Sequence, residues 1–121
     1  MTTVMLVDDS ATILMSLSSI LTKAGFQVET AGDGREALSK LSGGLKPNLI
    51  ISDVNMPNMD GITFAREARK ALRFTPILML TTESEQAKRA EAKSAGATGW
   101  LVKPVAPDQL LGVIKQVVPN A

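Results

Sequence analysis

The stretch LIISDVNMPNMDG at residues 49–61 constrains the fold more than any other part of the sequence. Its run of aliphatic residues indicates a strand that is buried on both faces. The asparagine, proline, aspartate and glycine residues that follow are typical of turns. Asp53 is therefore predicted at the carboxyl end of a central strand, which is where open parallel sheets bind their ligands. The alternative is that Asp53 ends the strand only because aspartate is a good turn residue.

Five apolar segments along the chain are each followed by a helical pattern of apolar residues. Alternation of strands and helices predicts an α/β domain with a parallel sheet covered on both faces. Five units are too few to close an eight-stranded barrel, so we predict an open, doubly wound, five-stranded sheet. The predicted strands lie at residues 4–7, 26–30, 49–53, 76–80 and 99–102, and the predicted helices lie near residues 13–24, 33–41, 62–72, 84–95 and 107–118.

Two of the predicted helices have features that bear on the site. Asp33 lies three residues before Glu36, a spacing that predicts a cap at the start of the second helix. The fourth helix offers only alanines as apolar residues, so it is predicted to be weakly anchored and easy to shift. The alternative for this fourth helix is a solvated, alanine-rich segment without a partner.

The composition excludes several kinds of chemistry. The chain of 121 residues has no histidine for acid–base catalysis or metal binding, and no cysteine for disulfides, zinc–thiolate sites or thiol nucleophiles. Its net charge of +1 gives no reason to expect nucleic acid or a membrane surface as a partner. We find no signal peptide or membrane-spanning run, and we expect one monomeric domain, residues 1–121, in the cytoplasm.

Polar residues occur where four of the predicted strands end. Asp8 and Asp9 follow the first strand, Asp53 ends the third, Thr81 follows the fourth and Lys103 follows the fifth. Because the carboxyl ends of parallel strands meet at one edge of the sheet, we expect these side chains to lie together. Three neighbouring carboxylates repel one another and need counter-charges, which Lys103 and a Mg²⁺ ion would provide. Taken alone, Asp8 and Asp9 could equally be caps of the first helix.

A carboxylate beside a lysine, a hydroxyl group and Mg²⁺ has the chemistry of a phosphoryl-binding site. The Thr81 hydroxyl can donate a hydrogen bond to an anionic oxygen. The Asp53 carboxylate can itself accept a phosphoryl group and form an aspartyl phosphate. The protein then has only to position the reacting groups and neutralise their charge.

With these motifs, the chain resembles the bacterial two-component receiver domains, and among them the single-domain regulators of chemotaxis. The resemblance extends over essentially the whole chain and rests on DD at 8–9, DVNMPNMDG at 53–61, Thr81 and KP at 103–104. It implies a flavodoxin-like fold of five strand–helix units with the strand order 2-1-3-4-5. It also implies a signalling switch rather than an enzyme, although one with self-phosphorylation and self-dephosphorylation chemistry.

The resemblance assigns a role to each acidic residue of the site. Asp53 would be the phosphoacceptor. Asp9, Asp53 and the backbone carbonyl of Asn55 would bind Mg²⁺, and Asp8 would contribute directly or through water.

The resemblance also implies how the site would switch. Lys103 would contact the phosphoryl group, and the peptide bond between Lys103 and Pro104 would be cis. Thr81 would turn inward to the phosphoryl oxygens. Trp100 stands at a switch position that the family usually fills with tyrosine or phenylalanine, and we expect it on the opposite face of its strand from Val102. The alternative is that Trp100 is a strand residue that half-covers the last helix.

The partners follow from the same resemblance. The phosphoryl donor would be a histidine kinase or a phosphotransfer protein. The fourth helix, fifth strand and fifth helix would form the output surface, with a flagellar motor switch protein and a phosphatase as candidate partners. The alternative is a stand-alone receiver that acts as a phosphate sink or relay outside chemotaxis.

Three other kinds of protein fit the sequence less well. An EF-hand loop beginning at Asp53 would have Pro57 in its fifth place and would lack glycine in its sixth. A flavodoxin-like cofactor binder would need a phosphate-cradling loop after the first strand, where Asp8 and Asp9 would repel a phosphate. An aspartyl-phosphate phosphatase generally needs a cap over its substrate, and no segment is left over to form one.

Overall fold

Five short segments form a single parallel sheet in the computed structural model, which describes residues 2–82 and 87–119. The strands are β1 (Thr3–Val7), β2 (Gln27–Ala31), β3 (Leu49–Asp53), β4 (Ile77–Thr81) and β5 (Gly99–Val102). They lie in the order β2-β1-β3-β4-β5, and each neighbouring pair is parallel. The predicted α/β fold and strand order are confirmed.

A helix follows each strand. The helices are α1 (Ala11–Lys23), α2 (Gly34–Ser42), α3 (Gly61–Ala71), α4 (Arg89–Ser94) and α5 (Pro107–Val117). At the starts of the first three, a polar side chain accepts a hydrogen bond from the backbone N–H three residues further on, and these capping residues are Ser10, Asp33 and Asp60. The predicted cap of the second helix by Asp33 is confirmed. Such caps satisfy N–H groups that have no partner within the helix.

The core lies in two layers, one on each face of the sheet. On one face, α1 and α5 pack against the strands through Leu17, Leu21, Leu110 and Ile114. On the other face, α2, α3 and α4 contribute Ala37, Phe64, Ala65, Ala68 and Ala92. Because both faces are covered, β3 and β4 are buried along their whole length. Each fully buried aliphatic side chain contributes about 1.5–3 kcal/mol to the free energy of unfolding.

Several element boundaries differ by a few residues from the sequence-based prediction, among them the starts of β2 and α4. β2 begins at Gln27 rather than Phe26, because the Phe26 N–H donates to the carbonyl of Leu21 and belongs to the turn that closes α1. The fourth helix is predicted from residue 84, but α4 begins at Arg89, after a 3₁₀ turn at residues 87–88. Residues 84–86 of that prediction lie outside the described residues.

The apolar side chains that anchor the short helix α4 are all small. Between residues 87 and 96, the buried residues are Ala92 and Ala95. The weak anchoring of this helix therefore matches the prediction. In the described ranges, no helix is long and apolar enough to cross a bilayer.

Candidate functional site

The carboxyl ends of three strands bring four charged side chains together. Asp8 directly follows β1, Asp53 is the last residue of β3, and Lys103 directly follows β5. Asp8, Asp9 and Asp53 each have a carboxylate oxygen within 4.8 Å of the others. Asp8 and Asp53 are buried, whereas Asp9 is exposed. The structure thus places side by side acidic residues that lie more than one third of the chain apart in sequence.

Lys103 links two of these carboxylates. Its ammonium nitrogen Nζ lies 3.1 Å from Oδ1 of Asp53 and 3.2 Å from Oδ2 of Asp8. Burial alone would lower the pKa of Lys103, but the hydrogen bond and attraction to Asp53, with those to Asp8, outweigh burial and raise it. The lysine is therefore held in its charged form between the two carboxylates.

Asp53 is less favourably placed in its charged form. Burial first, and repulsion from Asp8 second, raise the pKa of Asp53. The interactions with Lys103 and with the N–H of Val54, which donates to Oδ1 at 2.9 Å, offset this only in part. A second cation beside Asp53 would favour the charged carboxylate.

The two carboxylate oxygens of Asp8 have different partners. Its Oδ1 accepts a hydrogen bond from the N–H of Ser10 at 2.9 Å, while Ser10 itself caps α1. Asp8 is therefore not the helix cap that the alternative interpretation proposed. Its Oδ2 is buried, accepts no hydrogen bond within the described residues, and forms an ion pair with Lys103 Nζ at 3.2 Å. A buried oxygen of this kind suits a hard cation.

The loop after β3 is pressed against Asp53. The N–H of Gly61 donates to the carbonyl of Val54 at 2.8 Å, and a Cβ at Gly61 would overlap the backbone carbonyl of Asp53. Within the loop, Asn58 adopts a φ of 67°, and its side-chain amide donates to Asp33 at 2.8 Å. Backbone contacts, and not only charges, therefore fix the position of Asp53.

Residues 4–115 match the family model described as the response regulator receiver domain. The chain belongs to the response regulator receiver family. The structure of the chemotaxis protein CheY4 of Vibrio cholerae is 50% identical, covers 98% of this chain and 99% of its own, and superposes with a TM-score of 0.91. The chemotaxis protein CheY of Thermotoga maritima is 37% identical over 115 residues, which are 94% of this chain and 95% of that protein.

Receivers also occur within longer proteins. The alkaline phosphatase synthesis transcriptional regulatory protein PhoP of Bacillus subtilis is 35% identical over 115 residues. These residues are 95% of this chain but 48% of PhoP. Membership of the family therefore leaves the output of this receiver open.

Receiver domains in general bind Mg²⁺ in an acidic pocket and interact with histidine kinases or phosphotransfer proteins. In this receiver, Asp8, Asp9 and Asp53 form the acidic cluster. Their oxygens are the ligands that Mg²⁺ prefers, so the residues present fit the ion. Asn55, whose carbonyl is a predicted ligand, lies two residues after Asp53 in the same loop.

The two groups predicted around the phosphoryl position lie on β4 and just after β5. Thr81 ends β4, is 1% exposed, and its hydroxyl donates to the carbonyl of Leu101 at 3.4 Å, so it is turned toward β5. The peptide bond between Lys103 and Pro104 is cis, as the resemblance implies. The inward turn of Thr81 stays a prediction.

Trp100 contacts the start of α4. It is 38% exposed, and the guanidinium carbon of Arg89 lies 4.6 Å from the centroid of its ring. The next residue, Leu101, packs in the layer formed with α1 and α5, so Trp100 is on the other face of β5 and the alternative placement against the last helix is wrong. The expected separation from Val102 is also wrong, because side chains two residues apart on a strand share a face. Trp100 pairs in register with Met79, whose side chain belongs to the layer formed with α2, α3 and α4.

Sequence reasoning missed three basic side chains that hold α4. At its start, Lys88 Nζ donates to the side-chain carbonyl of Asn55 at 3.2 Å, and Arg89 lies over the ring of Trp100. At its end, the Arg69 guanidinium donates to the backbone carbonyl of Gly96 at 2.7 Å. The only signal in the sequence is the pair of adjacent cations at 88–89.

Proposed function

We propose that this receiver accepts a phosphoryl group on Asp53 from a phosphohistidine of a histidine kinase or phosphotransfer protein. One observation carries the proposal. The Asp53 carboxylate lies at the carboxyl edge of the sheet, 3.1 Å from the Lys103 ammonium group and beside two further carboxylates. A nucleophilic carboxylate, a fixed cation and oxygen ligands for a metal are what phosphoryl transfer to an aspartate requires.

In the transfer, a carboxylate oxygen of Asp53 attacks the phosphorus atom. The bond between phosphorus and the donor imidazole nitrogen breaks, and that nitrogen keeps the electron pair and takes up a proton. Lys103 neutralises part of the charge of the new acyl phosphate. The remaining phosphoryl charge would be neutralised by Mg²⁺ held by Asp8, Asp9, Asp53 and the carbonyl of Asn55. Later attack of water on phosphorus breaks the bond to Asp53, restores the carboxylate and releases inorganic phosphate.

A direct test uses a histidine kinase that carries a radiolabelled phosphoryl group. Wild type and Asp108→Asn, a control that changes an exposed aspartate of α5, should both become labelled, whereas Asp53→Asn should not. Hydroxylamine should release the label, because it attacks acyl phosphates. Equal labelling of Asp53→Asn, or label that resists hydroxylamine, would count against the proposal.

Phosphorylation would then act through Thr81 and Trp100 on the surface formed by α4, β5 and α5. The support is that Thr81 and Trp100 lie on β4 and β5, and that Trp100 contacts Arg89 at the start of α4. Mg²⁺ with beryllofluoride, a phosphoryl mimic, should shift the fluorescence emission of Trp100, and Thr81→Ala should reduce that shift. An unchanged emission, with mimic binding shown by calorimetry, would exclude Trp100 from the switch.

We further propose chemotaxis as the setting, with a flagellar motor switch protein as the output partner in the cytoplasm. The support is the similarity to the chemotaxis proteins CheY4 and CheY along almost their whole length. The alternative, a phosphate sink or relay outside chemotaxis, uses the same site with other partners. A pull-down with the beryllofluoride-activated receiver should retain the motor switch protein. Retention of a phosphotransfer protein alone would favour the alternative.

A further inference from the structure

Lys88 places a second positive charge beside the loop that carries the site. Its Nζ donates to Oδ1 of Asn55 at 3.2 Å. Asn55 lies two residues after Asp53, so their Cα atoms are at most about 7.6 Å apart. The long lysine side chain therefore reaches from the start of α4 back to the loop that follows Asp53.

The charge of Lys88 also acts on Asp60, at the other end of this loop. Burial raises the pKa of Asp60, but hydrogen bonds from Thr63 and Ile62, together with the charge of Lys88, lower it overall. Asp60 closes the loop at the first turn of α3, while Asn55 lies near its beginning. Lys88 thus contacts the loop at Asn55, and its charge also acts on Asp60. Within the described residues, no carboxylate lies within 4 Å of its Nζ, so none of them forms a close ion pair with it.

We propose that Lys88 is a positioning residue of this site, whose charge favours the binding of an anionic phosphoryl donor and opposes the binding of Mg²⁺. The inference rests on the proposed function and deepens it. Lys103 is already shared between the carboxylates of Asp8 and Asp53. A phosphoryl group adds up to about two negative charges, for which one shared lysine is a small counter-charge. Lys88 supplies a second, exposed cation beside the loop that follows Asp53.

The two effects of this charge have opposite signs. Without the ammonium group, an incoming anion loses an attraction, while an incoming Mg²⁺ ion loses a repulsion. Damage to the loop would instead weaken the binding of both. Measuring the binding of an anionic phosphoryl donor and of Mg²⁺ in the same variant therefore separates a role of the charge from a general loss of structure.

The experiment compares Lys88→Met with Lys88→Arg and with Lys93→Met. Lys93 is an exposed lysine of the same helix, so its replacement changes the net charge equally. In Lys88→Met at low ionic strength, the half-saturating concentration of acetyl phosphate should rise about two- to fivefold, and the Kd for Mg²⁺ alone should fall about twofold. Lys88→Arg should stay near wild type. Both differences should shrink at about 1 M salt, where screening is strong.

The outcomes distinguish this inference from the proposed function. If Lys88→Met matches Lys93→Met in both measurements, or if it binds both acetyl phosphate and Mg²⁺ more weakly, the role of Lys88 is overturned. If instead Asp53→Asn is phosphorylated like wild type, the proposed function fails. The Mg²⁺ titration, which needs no phosphoryl donor, still tests Lys88 in that case.

Discussion

Replacing Asp9 with alanine is expected to weaken Mg²⁺ binding on the order of 100-fold or more, because it removes a carboxylate ligand. Asp9 has an oxygen within 4.8 Å of those of Asp8 and Asp53, but it is exposed, so its loss should leave the fold intact. Without Asp9, the remaining charges are two carboxylates already shared with Lys103. Titration calorimetry with Mg²⁺ in the absence of phosphoryl donors measures the effect.

The matched control for Asp9 is Asp108→Ala, which removes one exposed carboxylate from the first turn of α5. This variant should bind Mg²⁺ like wild type, and thermal denaturation should show both variants folded. An unchanged Mg²⁺ affinity in Asp9→Ala would rule out the proposed metal ligands.

Replacing Lys103 with methionine is expected to lower the free energy of unfolding by about 2–4 kcal/mol near pH 7. The Asp8 and Asp53 side chains are 2% and 7% exposed, and Lys103 is the cation that contacts both. Removal of Lys103 leaves two buried charges uncompensated. The expected loss lies below that of a fully buried pair because the Lys103 side chain is 20% exposed. Urea denaturation measures it.

The loss of free energy of unfolding caused by Lys103→Met should become smaller as the pH falls. The pKa of Asp53 is raised from 3.8. Protonation of Asp53 therefore favours the folded state. Its contribution to the free energy of unfolding is complete below the unfolded-state pKa of 3.8, and it is lost as the pH rises through the higher folded-state pKa. Without Lys103 the pKa of Asp53 should rise further, so acid should recover part of the stability.

A surface lysine gives the comparison for Lys103. Lys70→Met breaks a pair with Glu67 at 3.0 Å, whose side chains are 70% and 40% exposed, and it should cost no more than about 1 kcal/mol. Equal losses in the two variants, or a loss in Lys103→Met that grows toward acid pH, would contradict the proposed role of Lys103 as the counter-charge.

Most of the fold could be predicted because β3 and β4 begin with continuous apolar runs, which are typical of strands covered on both faces of a sheet. The carboxyl ends of parallel strands meet at one edge, so the order of the residues along the chain was enough to place Asp8, Asp53 and Lys103 together. The strand order came from the family resemblance, since periodicity alone does not determine which strands are neighbours. That the receiver domain comprises residues 1–121 stays a prediction.

The contacts of long basic side chains could not be predicted. Arg89 over Trp100 and Lys88 on Asn55 depend on where α4 lies relative to the sheet, and hydrophobic patterns do not determine this. The face of Trp100 is a different case. The two-residue period of a strand was sufficient to place it with Val102, and the prediction misapplied that period.

The central claim, that Asp53 itself carries the phosphoryl group, is tested most directly by mapping the modified residue. After phosphoryl transfer, borohydride reduces an aspartyl phosphate to homoserine, which peptide mass spectrometry locates in the sequence. The account predicts homoserine at position 53 in wild type, and none in a sample that received no phosphoryl donor. Homoserine at Asp8 or Asp9 instead, or its absence from a receiver shown to carry label, would contradict it.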